Sequence, residues 1–190
     1  MPNKNSEPVR IYQLKVTLHG SHPFIWRQFQ VRSDITLAKL HRILQIVMGW
    51  TNTHLHRFLI RGAQFGIPDD GDMVLRKMID GRKHRLSDVV SGQASRFTYE
   101  YDFGDGWQHE LLVENILSPE AGERYPVCLA GARACPPEDV GGALGYQNLL
   151  EAIHNLNHPQ HDECLEWIGD GFDPEAFHVD EVNRKLRQLK

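Results

Sequence analysis

The stretch from Phe97 to Leu117 constrains the fold more than any other part of the chain. Apolar and polar side chains alternate on both sides of Gly104-Asp105-Gly106, the pattern of two half-buried strands joined by a tight turn. A two-residue Asp105-Gly106 turn sets Phe103 opposite Gln108 and Tyr101 opposite Glu110. A three-residue loop, Gly104-Asp105-Gly106, pairs Phe103 with Trp107, Tyr101 with His109, Tyr99 with Leu111 and Phe97 with Val113. That register gathers every large apolar side chain on one face, so it is the one expected, with Gly106 in the left-handed position such loops require. Glu100, Asp102, Gln108, Glu110 and Glu114 then fall on the other, mostly solvated face.

The flanking sequence predicts what this hairpin packs against. Ile11 to Leu18 reads as a strand with Tyr12, Leu14, Val16 and Leu18 on one side, and a short turn at His19 to Pro23 leads into a second strand, Ile25 to Val31. Leu37, Leu40, Leu44, Val47 and Met48 recur at helical spacing, after Asp34 or Thr36 as a cap and before Gly49 as a stop. Leu55 to Ile60 is a strand, Arg61 to Asp72 a loop or turn-rich hairpin, and Leu86 to Val90 a short helix. Ser118 to Gly145, rich in Pro and Gly, reads as one long ordered loop. Helices follow around Tyr146 to Ile153, at Glu163 to Ile168 and at Val179 to Leu189, and Asp173-Pro174-Glu175 has the signature of another helix start. The expected class is α+β, with an N-terminal strand-strand-helix-strand opening (β-grasp-like), a second hairpin packed on the same sheet, and helices mainly C-terminal. Residues 1–10 are expected to form a disordered N-terminal tail, and 11–190 a single domain.

Composition narrows the function classes. No apolar run approaches the roughly 20 residues that cross a bilayer, and Met1 to Pro8 lacks the apolar centre of a signal peptide, so the expected location is cytoplasmic and no membrane partner is expected. The formal charge of −4 provides no general footprint for nucleic acid. Three cysteines are too few for a disulfide scaffold and suit a reducing compartment.

Four segments concentrate chemistry-bearing residues: Gly49-Trp50-Thr51-Asn52-Thr53-His54-Leu55-His56, Tyr101 to His109, Cys128 to Cys135, and Pro136-Pro137-Glu138-Asp139-Val140-Gly141-Gly142 with Gly145-Tyr146. In these the chain resembles the plasmid pRiA4b ORF-3-like family, whose members carry G-W-x-x-x-H-L-H, Y-D-F-G-D-x-W-x-H and C-P-P-E-D-x-G-G-x-x-G-Y. The resemblance runs from about Tyr12 to Val182. Some members bear a label linking them to a mobile-element passenger gene and the word resolvase. A serine recombinase needs a basic DNA-binding helix-turn-helix and an activated N-terminal serine, and this chain shows neither. The resemblance implies a family and no particular activity.

Two ligand sets stand side by side. His54 and His56, two apart on a strand, point to one face, and His109, Cys128 and Cys135 would complete a nitrogen and sulfur set suited to zinc. The same residues also read as buried histidines and small buried thiols. Asp102, Asp105, Glu138 and Asp139 would supply oxygen ligands for Mg²⁺ or an acid–base pair if the Pro-Pro-Glu-Asp loop folds against the hairpin tip, and they read equally as turn and cap residues. Crowded carboxylates need a cation or a basic partner, for which Arg27, Arg57 and Arg133 are the flanking candidates. Trp50, Trp107 and Pro136-Pro137 are expected to pin the long loop onto the sheet.

A basic stretch, Arg76-Lys77 and Arg82-Lys83-His84-Arg85, is the candidate surface for a protein or nucleic-acid partner, and a solvated loop is its plainer reading. The chain lacks a phosphate-binding glycine fingerprint and a G-x-S-x-G elbow. The expected function is a binding or interaction module with a cleft formed by Trp50, His54, His56, Asp102, Asp105, Trp107, His109, Glu138 and Asp139. The alternative is a metal-dependent hydrolase, with nucleic acid as one substrate class, using the same groups as ligands and general base.

Overall fold

A computed structural model of the chain describes residues 8–72, 75–169 and 171–189. Strands β1 (Ile11–Leu18) and β2 (Trp26–Arg32) pair antiparallel, as their short connection dictates. Helix α1 (Leu37–Met48) starts at Thr36, whose hydroxyl accepts from the Lys39 amide, and stops at left-handed Gly49. Strands β3 (His56–Ile60) and β4 (Ala63–Gly66) form the turn-rich hairpin, followed by a 3-10 turn at Leu75–Lys77, strand β5 (Ile79–Asp80) and the short helix α2 (Leu86–Val89). Strands β6 (Arg96–Tyr101) and β7 (Trp107–Leu117) are the second hairpin, and strand β8 (Val127–Ala132) precedes helices α3 (Gly142–His154), α4 (His161–Ile168) and α5 (Val179–Gln188).

The eight strands lie in one sheet in the order β5-β4-β3-β6-β7-β1-β2-β8, antiparallel except for β4 with β5. The α+β class, the strand-strand-helix-strand opening, the hairpin within the same sheet and the mainly C-terminal helices are as expected. One face is apolar: Leu14, Val16, Phe29, Phe58, Tyr99, Leu111 and Val113 bury against Leu40, Leu44 and Val47 of α1. The other carries Gln13, Gln28 and Glu114 in a hydrogen-bonded row, the Arg57–Glu100 ion pair and the Arg96–Glu110 ion pair. An antiparallel sheet tolerates this one-sided cover.

The central hairpin departs from the expected register by two residues. Tyr101 faces Trp107, Tyr99 faces His109 and Phe97 faces Leu111, so the loop spans five residues, 102–106. A slip of two preserves the faces, and the aromatic stripe is buried as expected. Phe103 leaves the ladder and lies half-buried beneath the Arg57 guanidinium. The cause is Asp102, which adopts a left-handed φ of 56°. Its carboxylate accepts from the Gly104 amide at 2.9 Å and its carbonyl from the Gly106 amide at 2.6 Å, closing the turn early. Asp102 and Glu100 are buried, not solvated, Glu100 against its Arg57 partner on β3.

Two further expectations are corrected. The long loop contains β8, an edge strand whose Val-Cys-Leu-Ala-Gly-Ala sequence has no clear alternation and whose outer side is covered by α5, where Asn183 bonds to both the amide and the carbonyl of Cys128. Asp173-Pro174-Glu175 starts no helix, only a turn closed by the Ala176 amide on the Asp173 carbonyl. Of the expected tail, residues 1–7 lie outside the described residues, and Arg10 is already tied to Ser33.

Burial leaves its mark on three histidines. Desolvation holds His41 down to about 4 and His56 and His109 down to about 3, so each is neutral in the fold. An unfolded histidine titrates near 6.5, and the unfolded chain therefore takes up protons first on acidification. Stability is full above about pH 6.5 and falls as the pH drops toward about 4, with a slope approaching three protons, or roughly 4 kcal/mol per pH unit. Urea midpoints measured between pH 7.5 and 5 test this; a flat profile contradicts it.

Candidate functional site

The loop after α1, the hairpin tip and the Pro-Pro-Glu-Asp loop meet at one corner of the sheet. Their hub is the Tyr101 hydroxyl, which accepts from the Thr53 amide at 3.0 Å and the His54 amide at 3.3 Å and donates to Glu138 at 3.1 Å. Glu138 Oε1 also accepts from the Thr51 amide and hydroxyl at 2.9 and 3.1 Å. Asn52 takes a left-handed φ of 61° in the same loop. It is held by Gln45, which accepts from its amide, and by His41, whose Nε2 stands 2.6 Å from its side-chain oxygen. The ring nitrogen facing that oxygen must donate, so His41 Nδ1 accepts from the Tyr99 hydroxyl at 2.8 Å.

From this frame His54 projects toward three carboxylates. Its Nε2 lies 3.2 Å from Asp139 Oδ1, 3.6 Å from Asp102 Oδ2 and 3.8 Å from Glu138 Oε2. The Nε2 atom is shut off from solvent, yet it makes no hydrogen bond to any of these oxygens, two of which lie beyond 3.5 Å. Among the described residues, His54, Asp102 and Asp139 form the one group whose ligating atoms all fall within 4.8 Å of one another. Asp102 turns Oδ1 to the Gly104 amide, which leaves Oδ2 for His54. Asp139, at a left-handed φ of 59°, keeps its carboxylate largely in solvent.

The hairpin tip and the loop are locked together on the far side of this cluster. Asp105 accepts from the Gly141 amide at 3.2 Å, and a Cβ on Gly142 would sit 2.5 Å from the Asp105 carbonyl oxygen, so only glycine allows the approach. Asp105 thus serves as a tie between the loops. Trp50 donates to the Pro136 carbonyl at 3.0 Å and packs against Tyr101, Trp107 and His109, with ring centroids 4.9, 6.0 and 5.1 Å away. The expected aromatic anchor of the long loop is present.

The other expected ligands stand elsewhere. His54 precedes β3 rather than sharing it with His56, whose ring stacks on His41 at 3.5 Å. His109 is fully buried, with Nδ1 on the Tyr99 carbonyl. Burial raises the Cys128 thiol to about 11 and pushes the Cys135 thiol up as well, which leaves both protonated and poor as ligands or nucleophiles. The flanking arginines are also engaged elsewhere: Arg57 with Glu100, Arg133 with Glu175, and Arg27 with backbone carbonyls. In the basic stretch Arg82 and Lys83 pair with Asp80, and His84 lies edge-on to Phe65.

Sequence reasoning overlooked Tyr101 as a polar hub and Thr51 as a carboxylate anchor. A tyrosine on a buried strand face must find a partner for its hydroxyl, and that was the available signal.

Three comparisons bear on the chain. The family model described as "Plasmid pRiA4b ORF-3-like protein" matches residues 10–181. An uncharacterized protein, y4hQ, of Sinorhizobium fredii (strain NBRC 101917 / NGR234) is 41% identical over 183 residues, covering 94% of this chain and 92% of the relative. The crystal structure of a protein of unknown function, MM3350 from Methanosarcina mazei Go1, superposes with a TM-score of 0.85 at 36% identity, covering 93% of this chain and 99% of that one.

Two substitutions test the frame by chemical denaturation. Tyr101→Phe removes a buried hydroxyl with three partners and is expected to cost about 1–3 kcal/mol. Trp107→Ala opens a cavity beneath Trp50 and is expected to cost about 3–5 kcal/mol; an unchanged midpoint would mean that no such cluster exists in solution.

Proposed function

The chain belongs to the plasmid pRiA4b ORF-3-like family, and we propose that its corner cluster is a binding site for one divalent metal ion, held by His54, Asp102 and Asp139. The observation that carries this reading is His54 Nε2, shut off from solvent without a hydrogen bond and surrounded by carboxylate oxygens at 3.2, 3.6 and 3.8 Å. Ligand atoms each about 2.1 Å from a shared ion stand roughly 3.0–3.5 Å apart, close to these separations. Crowding three carboxylates around one imidazole is costly unless a cation compensates them. The arginines that sequence reasoning offered for that role are engaged elsewhere. Glu138, fixed by Thr51 and Tyr101, adds negative charge beside the ion and orients the loop.

The donor chemistry selects the metal. One imidazole with carboxylates suits Zn²⁺ or Mn²⁺ better than Mg²⁺, which prefers an all-oxygen shell. A second reading, a metal-dependent hydrolase, is favoured by one feature: three protein ligands with Asp139 open to solvent leave a position for water, as catalytic zinc sites do.

Calorimetric titration of untagged protein tests the site. Zn²⁺ and Mn²⁺ are expected to bind at one equivalent, and Mg²⁺ more weakly. His54→Ala and Asp102→Asn are expected to lower the affinity by about tenfold or more while the fold persists by circular dichroism. No heat with Zn²⁺ or Mn²⁺ overturns the proposal.

A further inference from the structure

Asp139 borders two features of the structure. Besides its place at the His54 cluster, it lines a cavity of about 170 Å³ between α3 and α4, together with Val140, Asn148, Leu149, Cys164 and Trp167. The wall is mostly apolar, and its outer part is an indole left 52% exposed on α4, a helix with no buried residue of its own. The volume lies below the roughly 300–1,000 Å³ of sites for larger ligands, which limits the occupant to one ring or a short chain.

Charge decides the polar end of that occupant. Asp102, Glu138 and Asp139 all approach His54 at the Asp139 end. Without a bound ion the three carboxylates stay net negative even beside a protonated imidazole. A carboxylate or phosphate group brought to this corner is therefore repelled, while an ammonium group is attracted. The exposed Trp167 indole also offers a broad aromatic face to the hydrocarbon part of such a ligand.

We infer that this cavity binds a small organic amine, with its hydrocarbon body against Trp167 and Leu149 and its ammonium group at Asp139. The inference rests on the ion-site reading for the partners of Asp139, and it extends that reading with a ligand class.

Three single-ring probes test it by calorimetry on the full chain in EDTA: benzylamine, benzyl alcohol and benzoate. Benzylamine is expected to bind about tenfold tighter than benzyl alcohol, and benzoate not at all. Trp167→Ala, at an exposed position that the fold tolerates, is expected to weaken benzylamine by about tenfold, and Trp167→Phe by less. Asp139→Asn in EDTA is expected to erase the preference for the amine over the alcohol. Benzoate binding as tightly as benzylamine, no benzylamine binding at millimolar concentration, or indifference to Trp167→Ala each overturns the inference. A chain that binds Zn²⁺ without benzylamine sinks this inference alone. A chain that binds benzylamine without Zn²⁺ or Mn²⁺ sinks the ion site alone.

Discussion

A buried guanidinium that donates to four backbone carbonyls ties helix α1 to strands β2 and β8. Arg27, 1% exposed on the apolar side of β2, donates to the Val47 carbonyl at 2.8 Å, to the Trp26 and Ala132 carbonyls at 2.8 and 2.7 Å, and to the Arg133 carbonyl at 2.7 Å. Phe177 lies against its other side, 4.0 Å from the guanidinium carbon. Burial lowers its pKa to about 10, so it remains charged at neutral pH. A charge in such surroundings persists only because its donors are met, and here backbone carbonyls meet them. Apart from Trp26 on its own strand, those carbonyls belong to the end of α1 and the end of β8, from which the loops carrying His54 and Glu138-Asp139 depart.

With both loops anchored at their roots, a single hydroxyl aligns their tips. Tyr101 accepts from the His54 loop and donates to Glu138, and its own burial leaves it little freedom. The His41–Asn52 contact and the Gln45 amide hold the same loop from the α1 side. The cluster is thus built on a strand end and a helix, and the part left open to solvent is Asp139. That division suits a site whose geometry is preorganised on one side and open on the other.

The two ligand sets considered from sequence are recombined by the structure. His54 comes from the zinc-like set, and Asp102 and Asp139 from the carboxylate set. His56 and His109 serve the core, where neutral imidazoles stack and bond as polar aromatics, and the two cysteines are small buried thiols. Residue type and spacing alone do not separate these roles, because burial decides whether an imidazole is a ligand or a filler.

What the sequence determined by itself was local and periodic. Alternation marked β1, β2 and the central hairpin, and the 3.6-residue rhythm between Thr36 and Gly49 marked α1, because burial on one face is written directly into residue order. The aromatic stripe survived even the error in loop length, since a slip of two residues keeps every side chain on its face. Tertiary structure decided what depends on distant partners. It turned Asp102 inward through a left-handed residue, hid β8 as an edge strand whose outer side is closed by Asn183, and denied Asp173-Pro174-Glu175 a helix. It also brought Asp139 to His54, 85 positions earlier in the chain, through a glycine contact with Asp105 that no local pattern encodes.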